Sequence, residues 1–329
     1  MTADRALVTG AAGFIGAHCV RYLAQRGWQV RALDVHPVPP AGATPGVDFR
    51  LQDLRDSAAL AAAVEGMQIV FHLASVHLAV GAKYEDFEAV NVKAVEHLVD
   101  ACAAGGVRRL VHVSSVGVYG HVEHPPAAED APLHPVNDYE RTKRAGEDAV
   151  RRAAARTGMD VVIVRPSWVY GVGCPRTEKL MRALQKGKFF YIGAAKNLRH
   201  PIFIDDFLDG LLLAGTGGPE LAGKTFNIAG PSWMTVEEMV DTFARAMQVK
   251  PPRVRIPRWL GLTAGWAAEQ VGAALKIEPP ISRRTLAFFE NDNAFDIGAA
   301  RKWLKFEPRV DLLDGVRRVL KEGTTCALE

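Results

Sequence analysis

Two residues four positions apart, Tyr139 and Lys143, form the pair in this sequence best suited to proton transfer. The spacing places both side chains on one face of a helix. A phenol with a pKa of about 10 is a poor base at neutral pH, but a neighbouring ammonium group favours the phenolate and lowers that pKa. Because Tyr-x-x-x-Lys also occurs by chance, the pair predicts an acid–base site only together with other groups.

Two serines, Ser114 and Ser115, directly follow the apolar run 110–113 and offer hydroxyl groups at the end of a predicted strand. A hydroxyl there can hydrogen-bond a substrate oxygen that develops alkoxide character. The alternative is that both serines are ordinary turn residues. Tyr139 and Lys143 favour the first interpretation, because the three groups together form a proton- and hydride-transfer site.

A glycine-rich turn with the spacing G-x-x-G-x-x-G separates a predicted strand at 5–8 from a predicted helix at 17–26. Glycines let the backbone approach a pyrophosphate, and the helix N-terminus offers free N–H groups and the positive end of its dipole. The spacing differs from G-x-G-x-x-G, but its place at the start of a βαβ pattern predicts a bound dinucleotide. The predicted contacts in this turn are Gly10, Gly13, Phe14, Ile15 and Gly16.

An aspartate after the second predicted strand, Asp34, follows the glycine turn at about the 20-residue separation expected of a ribose-binding carboxylate. Such a carboxylate can accept hydrogen bonds from both hydroxyls of an adenosine ribose and would repel a 2′-phosphate. Asp34 therefore predicts NAD rather than NADP. The nearby cations Arg31 and His36 leave some tolerance of NADP open, and a plain turn aspartate is the alternative for Asp34.

Two further strand ends supply predicted cofactor contacts. Asp53, followed by Leu54, comes after the third predicted strand, where a carboxylate could meet the adenine amino group. The alternative is that Asp53 caps the next helix. Small or apolar residues after the fourth strand would let the cofactor lie across the strand ends, and these are Leu73, Ala74 and Ser75.

Alternating strand and helix patterns organise the first half of the chain. Continuous Val/Ile/Leu runs separated by helices predict a parallel sheet covered on both faces, hence an α/β, doubly wound (Rossmann) fold with ligands at the carboxyl ends of its strands. The predicted strands are 5–8, 29–33, 47–51, 69–73, 110–113 and 161–164, and the predicted helices are 17–26, 58–64, 87–104 and 139–157.

The regular alternation fades after residue 165, so residues 1–165 are predicted to form the dinucleotide-binding domain with the catalytic residues. Residues 166–329 are predicted to form mainly a smaller α/β substrate lobe, because Gly, Pro and aromatic residues become frequent there. A strand at 225–228 and a helix at 206–213 are predicted in this part, and either could pack back on the first domain.

Composition limits the classes of function. The 329 residues are 48% hydrophobic and 23% charged with a net charge of +3, which indicates a globular enzyme acting on a small molecule and argues against nucleic acid as the main partner. Four scattered cysteines predict reduced thiols in a cytoplasm. No signal peptide is predicted, and the apolar stretch 260–275 is too short and too polar for a membrane span. That stretch is predicted to cover a pocket or the core, with an interfacial helix as the alternative.

Three histidines are further candidates for metal chemistry. Their spacing suits no usual ligand set, so structural roles and no metal site are predicted. They are His72, His112 and His200.

Taken together, these motifs resemble the extended short-chain dehydrogenase/reductases, the group that contains nucleotide-sugar epimerases and dehydratases and the 3β-hydroxysteroid dehydrogenases. The resemblance covers nearly the whole chain. The matching segments are 9–16, 34, 53–54, 72–75, 91–94, 114–120, 139–143, 165–171, 204–206 and 295–300.

The resemblance implies several roles that cannot be inferred from the residue types and their spacing alone. It implies Ser115 rather than Ser114 as the catalytic hydroxyl. It also implies a homodimer built through two helices per subunit, here 87–104 and 139–157. The additional NAD contacts that it implies are Asn91, Ser114, Tyr139, Lys143 and Pro166.

Departures from the family patterns, and likenesses to its branches, limit the candidate reactions and substrates. Val116 and the glycine after it stand where 4,6-dehydratases carry Asp-Glu, which argues against dehydration. Arg199 and Arg283 fall where epimerases bind the substrate diphosphate, and a salt bridge within the lobe is the alternative for Arg199. Against a sugar nucleotide, Trp168 stands at a position that is often polar in those enzymes, and the apolar stretch 260–275 resembles the hydroxysteroid branch. The predicted substrate contacts are Val116, Trp168, Arg199 and Arg283.

Three functions follow, in this order. The leading prediction is an NAD-dependent epimerase-type enzyme acting on a nucleotide-linked sugar. The alternative is a net dehydrogenase or reductase of a steroid-like or other apolar hydroxy/keto compound. A non-catalytic nucleotide-sensing regulator is the third, and it is disfavoured because Ser115, Tyr139 and Lys143 are all present.

Overall fold

A parallel β-sheet runs through the centre of the computed structural model, which describes residues 4–37, 44–77, 83–263, 265 and 288–326. The strands are β1 Arg5–Thr9, β2 Gln29–Asp34, β3 Asp48–Leu51, β4 Ile69–His72, β5 Arg109–Val113, β6 Val161–Pro166, β7 Trp168–Tyr170, β8 Tyr191–Ile192, β9 Leu198–Arg199, β10 Pro201–Phe203, β11 Thr225–Ile228, β12 Met234–Thr235 and β13 Arg255–Ile256. In the central sheet the order is β11-β6-β5-β4-β1-β2-β3, with every pair parallel.

The strand order reverses between β1 and β4, which are hydrogen-bonded neighbours. At such a switch point the loops leave in opposite directions and open a crevice beyond the carboxyl ends of the strands. Thr9 at the end of β1 pairs with both Leu33 and His72, so the loops after three strands begin at the same edge. The predicted doubly wound fold is confirmed.

Helices cover both faces of the sheet. They are α1 Phe14–Gln25, α2 Ser57–Val64, α3 Tyr84–Glu88, α4 Ala94–Ala104, α5 Asp138–Thr157, α6 Pro175–Gln185, α7 Ile204–Thr216, α8 Val236–Ala246 and α9 Leu312–Cys326. One core places α2, α4 and α5 against one face of the sheet, and a second core places α1 and α7 against the other. This double coverage explains why β4 and β5 are buried along their whole length and carry almost no alternation of polar residues.

The prediction of one helix over 87–104 is only partly right. The structure has α3, then a π-helical turn at Ala89–Lys93, then α4. The extra residue in a π-turn cannot be read from apolar periodicity, and such turns are frequent at functional sites. The predicted helix at 139–157 is confirmed as α5, whose first turn is capped by the Asn137 side chain.

The part after residue 165 contributes to the central sheet as well as forming short strand pairs of its own. The predicted strand at 225–228 is β11, which pairs with β6, and the predicted helix at 206–213 lies within α7. One hydrophobic core joins β1 and α1 to α7, α8 and α9. The two-domain division at 165/166 stays a prediction.

Beyond Thr263, most of the apolar stretch 260–275 lies outside the described residues. Within the part of the chain that the structure describes, no helix combines the length and apolarity needed to cross a bilayer.

Candidate active site

The glycine turn brings β1 against the end of β4. Gly10 has a φ of +73°, and a Cβ there would lie 2.7 Å from backbone atoms of Ala74. Its N–H donates to Leu33 O at 2.9 Å, which also ties the turn to β2. A Cβ on Gly16 would overlap the carbonyl oxygen of Gly10. Only glycine fits these two close approaches, in which backbone packs directly against backbone.

Helix α1 begins immediately after this turn, with Gly13 as its N-cap and no side chain capping it. The first N–H groups of a helix have no partner within the helix, and the helix dipole is positive there. Phe14 and Ile15, the first two residues of α1, are half-buried. This uncapped helix N-terminus, which follows a turn that only glycine permits at Gly10 and Gly16, fits the diphosphate of a dinucleotide.

The Asp34 carboxylate lies at the end of β2 and faces the same turn. Its Oδ2 accepts a hydrogen bond from Ala12 N and its Oδ1 one from His36 N, both at 2.9 Å. Each oxygen keeps a lone pair that a ribose hydroxyl can use. Arg31 does not serve as a phosphate ligand in this arrangement, because its guanidinium donates to Asp48 and to the Ala63 carbonyl. These contacts favour the NAD interpretation over NADP tolerance through Arg31.

Asp53 is not the cap of the following helix. Asp56 has that role, because it accepts hydrogen bonds from the backbone N–H groups at the start of α2. The Asp53 carboxylate pairs with the Arg55 guanidinium at 2.5 Å, and Leu54 is buried in the hydrophobic core. The predicted adenine contact of Asp53 stays a prediction.

Asn91 joins the loop after β4 to helix α5. Its Oδ1 accepts from the Ser75 hydroxyl at 3.0 Å and from Val76 N at 2.9 Å, and its Nδ2 donates to the Thr142 hydroxyl at 3.1 Å. Leu73 and Ala74, which precede Ser75, are half-buried. Asn91 sits in the π-turn before α4, which turns its side chain toward these partners. It therefore holds the predicted cofactor loop against the residue next to Lys143.

Tyr139 and Lys143 lie on the first turns of α5, near the carboxyl end of β5. Lys143 is buried, and its ammonium group donates to Val113 O at 2.7 Å. Burial lowers the pKa of Lys143 to about 8, although the nearby Glu147 carboxylate acts in the opposite direction. Tyr139 is half-buried, and its ring meets the exposed His77 ring edge-to-face at 4.3 Å between centroids. His77 was missed by the sequence analysis, since no motif contains it.

The two serines after β5 have different partners. The Ser114 hydroxyl is buried and donates to Glu147 Oε1 at 2.6 Å. The half-buried Ser115 Oγ accepts only a capping hydrogen bond from Gly117 N among the bonds of the described residues, at 3.0 Å. Ser115 therefore keeps its O–H available for a substrate oxygen, and Val116 follows it, half-buried. Pro166 ends β6, two strands from β4.

A buried network behind the serines was missed by the sequence analysis. Glu147 accepts two hydrogen bonds from Arg165, and Arg165 also donates to the Tyr119 hydroxyl at 2.7 Å. Tyr119 in turn donates to Asn227 Oδ1 at 2.8 Å. Tyr119 and Arg165 lie within the segments that carry the family resemblance, but only the fold brings them to Glu147.

Two of the three histidines are buried side by side beneath α5. The rings of His72 and His112 stack with centroids 5.4 Å apart. Burial lowers the pKa of His72 to about 3 and that of His112 well below its ordinary value, and the Lys143 charge adds to both effects. Among the described residues no group of three or more His, Cys, Asp or Glu side chains could hold a metal ion.

Of the predicted substrate contacts, Trp168 and Arg199 are both engaged in packing or hydrogen bonds within the protein. Trp168 stacks on Phe243 with ring centroids 6.2 Å apart, so it belongs to the packing of the lobe. Arg199 is buried and donates to the carbonyl oxygens of Phe288 and Asn291, with its guanidinium over the Phe288 ring. Arg283 lies outside the described residues.

Comparisons with known proteins agree with this geometry. A family profile described as the NAD dependent epimerase/dehydratase family matches residues 6–229. Mouse sterol-4-alpha-carboxylate 3-dehydrogenase, decarboxylating, is 26% identical over 97% of this chain and 91% of its own length. The 2-alkyl-3-oxoalkanoate reductase of Stenotrophomonas maltophilia is 28% identical over 95% of this chain and 97% of its own length.

Among solved structures, MoeE5 in complex with UDP-glucuronic acid and NAD is similar in fold. It superimposes with a TM-score of 0.78 at 27% identity, covering 98% of this chain and 100% of that one.

Proposed function

This chain belongs to the NAD-dependent epimerase/dehydratase family, and from that premise we propose that it catalyses net oxidation or reduction of an apolar compound at a secondary hydroxyl or keto group. Hydride transfer with NAD at such a carbon is common to the epimerase and dehydrogenase branches that the sequence predicts. The two differ in the substrate and in whether the cofactor ends the cycle oxidised or reduced.

Ser115, Tyr139 and Lys143 each have one role in the proposed reaction. NAD, when bound along the glycine turn and Asp34, supplies the hydride acceptor or donor. Tyr139 takes the hydroxyl proton on its phenolate oxygen when the alcohol is oxidised, and returns it to the carbonyl oxygen when the ketone is reduced. Ser115 donates a hydrogen bond to the same substrate oxygen. The Lys143 ammonium group favours the phenolate form of Tyr139.

The hydrogen bonds that Arg199 makes favour an apolar substrate over a diphosphate. A diphosphate ligand needs a guanidinium whose paired donors point into the substrate site. In this structure those donors are directed at the carbonyl oxygens of Phe288 and Asn291. The Asn197 side-chain amide donates to the same two carbonyl oxygens, so Arg199 and Asn197 together hold the 288–291 segment, and Arg199 serves as a structural anchor there.

Two curated relatives support the same choice. The sterol-4-alpha-carboxylate 3-dehydrogenase and the 2-alkyl-3-oxoalkanoate reductase are both named for redox chemistry at a carbon carried on a sterol or alkyl skeleton. Val116 offers an apolar side chain directly beside Ser115, where such a skeleton would begin.

A nucleotide-linked sugar remains the second candidate, on one specific observation. MoeE5, solved with UDP-glucuronic acid and NAD, matches nearly all of this chain at 27% identity. An epimerase would oxidise the sugar, let the keto intermediate rotate in the site, and reduce the opposite face of its carbonyl group.

The experiment that separates the two candidates follows the cofactor. Purified protein with NAD+ is offered a 3-hydroxysteroid, a 2-alkyl-3-hydroxyalkanoate and UDP-glucose in separate reactions. Stoichiometric NADH with an apolar alcohol supports the proposal. Conversion of UDP-glucose to an epimer without net NADH supports the second candidate and contradicts the first.

The cellular and quaternary settings are also proposals. We infer a cytoplasmic location from the thiols of Cys19, Cys102 and Cys174, which are free in the structure. We infer a homodimer through the α4 and α5 faces from the family resemblance. Sedimentation equilibrium would give twice the chain mass if the dimer forms.

A further inference from the structure

We propose that Glu147 is a positioning residue of the hydride-transfer site: its buried carboxylate fixes the strand ends that carry Ser115 and Pro166 against the helix that carries Lys143. The inference rests on the proposed function, because it assigns a role to Glu147 within that same site. Glu147 touches neither substrate nor cofactor, and acts through its neighbours.

Two side chains of α5 hydrogen-bond to the end of β5. Glu147 lies one helical turn after Lys143, and the two side chains bond to consecutive residues of the strand end. Lys143 donates to Val113 O at 2.7 Å, and Ser114 donates to Glu147 Oε1 at 2.6 Å. The next residue is Ser115. Two bonds from one rigid helix therefore set the direction in which the chain delivers the Ser115 hydroxyl.

Glu147 is also bonded to Arg165 on β6. Arg165 donates through Nε to Glu147 Oε1 at 2.8 Å and through Nη2 to Oε2 at 2.7 Å, with both side chains at least 98% buried. A bidentate pair fixes angle as well as distance. Arg165 directly precedes Pro166, so the same carboxylate locates the end of β6. One side chain thus joins three segments that supply predicted site residues.

Further hydrogen bonds hold Arg165 in place on the side away from Glu147. Arg165 also donates to the Tyr119 hydroxyl, which donates to Asn227 Oδ1 on β11. Asn227 is held in turn by the carbonyl oxygens of Ala127 and Asp296. Arg165 therefore cannot swing away without breaking buried bonds, and the position of the Glu147 carboxylate is fixed from both sides.

The charge of Glu147 acts on Lys143 as well. Burial alone would raise the pKa of Glu147, but Arg165, Ser114 and Arg151 together lower it, so the carboxylate is ionised at neutral pH. The charged groups facing it are Arg165 on β6 and Arg144 and Arg151 on its own helix. Glu147 raises the pKa of Lys143, and the Lys143 charge in turn lowers the pKa of the buried rings of His72 and His112.

A set of variants separates positioning from plain stability. Ser114→Ala cuts the link to β5 and leaves both charges in place. Glu147→Gln removes the charge but leaves Arg165 buried without its counterion, which can unfold the protein. The double variant Glu147→Gln/Arg165→Met removes the charged pair together. Arg156→Gln, which breaks an exposed ion pair with Asp100 farther along α5, is the matched control.

Activity gives the first set of outcomes. With the alcohol that the wild-type protein oxidises, we expect Ser114→Ala to lower kcat about tenfold, to keep NAD affinity within about twofold, and to keep the pH profile. We expect Glu147→Gln to lower kcat further and to move the alkaline limb of the profile about one pH unit lower, because Lys143 loses a nearby negative charge. If that variant does not fold, the double variant should lower kcat as well but shift the limb less, because a positive charge is removed with the negative one. Folded variants with wild-type kcat and profile would overturn the proposal.

A second measurement does not depend on turnover. Hydrogen exchange of the peptide 109–117 should quicken in Ser114→Ala and in the Glu147 variants and stay unchanged in Arg156→Gln. If the wild-type protein oxidises no alcohol, the proposed function fails, and this exchange pattern still decides the positioning role. Unchanged exchange at 109–117 in folded variants overturns that role whatever the activity.

Discussion

The ammonium group of Lys143 donates a 2.7 Å hydrogen bond to the carbonyl oxygen of Val113, which joins the first turns of α5 to the end of β5. The bond orients a buried cation at the strand edge where the glycine turn also lies. A cation so placed can favour a phenolate on the same helix face, because Tyr139 is one turn away.

The buried position of Lys143 predicts an alkaline limit to activity. Its pKa of about 8 means that the ammonium form predominates below that pH and is lost above it. We therefore expect kcat/KM for NAD+, which reports the free enzyme, to fall as pH rises through about 8. A profile that stays flat well above pH 8 would show that the charge of Lys143 is not required.

Asp34 predicts the choice between the two dinucleotides. Asp34→Ala removes an ionised acceptor from the ribose hydroxyls, for which a loss of about 1.5–3 kcal/mol is usual, so we expect NAD to bind roughly ten- to a hundredfold more weakly. The ratio of NAD to NADP affinity should fall too, because the repulsion of a 2′-phosphate is lost.

Isothermal titration with both cofactors measures this ratio. Asp314→Asn is the control, because it breaks an exposed ion pair with Arg317 within α9 and leaves the turn and Arg31 unchanged. An unchanged ratio in Asp34→Ala would show that Asp34 does not contact the ribose.

The buried histidine pair predicts acid sensitivity. The folded-state pKa of His112 lies below its unfolded value, so below about pH 6.5 the unfolded chain binds a proton that the folded chain excludes. The free energy of unfolding must then fall as pH falls, by about 1.4 kcal/mol per pH unit from this residue. Neither ring nitrogen of His112 has a hydrogen-bond partner among the described residues, so we expect His112→Leu to cost little at pH 7.

Urea unfolding at pH 7 and pH 5 checks the sign. The loss between the two pH values should be smaller in His112→Leu than in the wild-type protein by roughly 2 kcal/mol. His97→Leu, at an exposed position of α4, should behave as the wild type. Equal losses in His112→Leu and the wild type would contradict the argument from burial.

Much of this arrangement could be predicted from local patterns. Apolar runs gave the strands of the sheet, and the four-residue spacing placed Tyr139 and Lys143 on α5 as found. The glycine spacing located the tight approach at Gly10 because only glycine adopts that conformation without strain.

The rest depends on contacts between distant parts of the chain. Arg199 bonds to carbonyl groups about ninety residues later, and no local pattern distinguishes that use from phosphate binding. From the sequence, Glu147 is indistinguishable from the exposed charged residues of an amphipathic helix. It pairs with Arg165 because α5 packs on β6. The π-turn around Asn91 leaves no periodic signal at all.

Tyr139→Phe tests the central claim most directly, because it removes one oxygen atom and keeps the ring that contacts His77. Tyr84→Phe, at an exposed tyrosine on α3, is the matched control. We predict that Tyr139→Phe binds NAD with wild-type affinity and loses turnover by about a hundredfold or more, while Tyr84→Phe keeps both. A Tyr139→Phe protein that binds NAD and turns over at the wild-type rate would contradict the account.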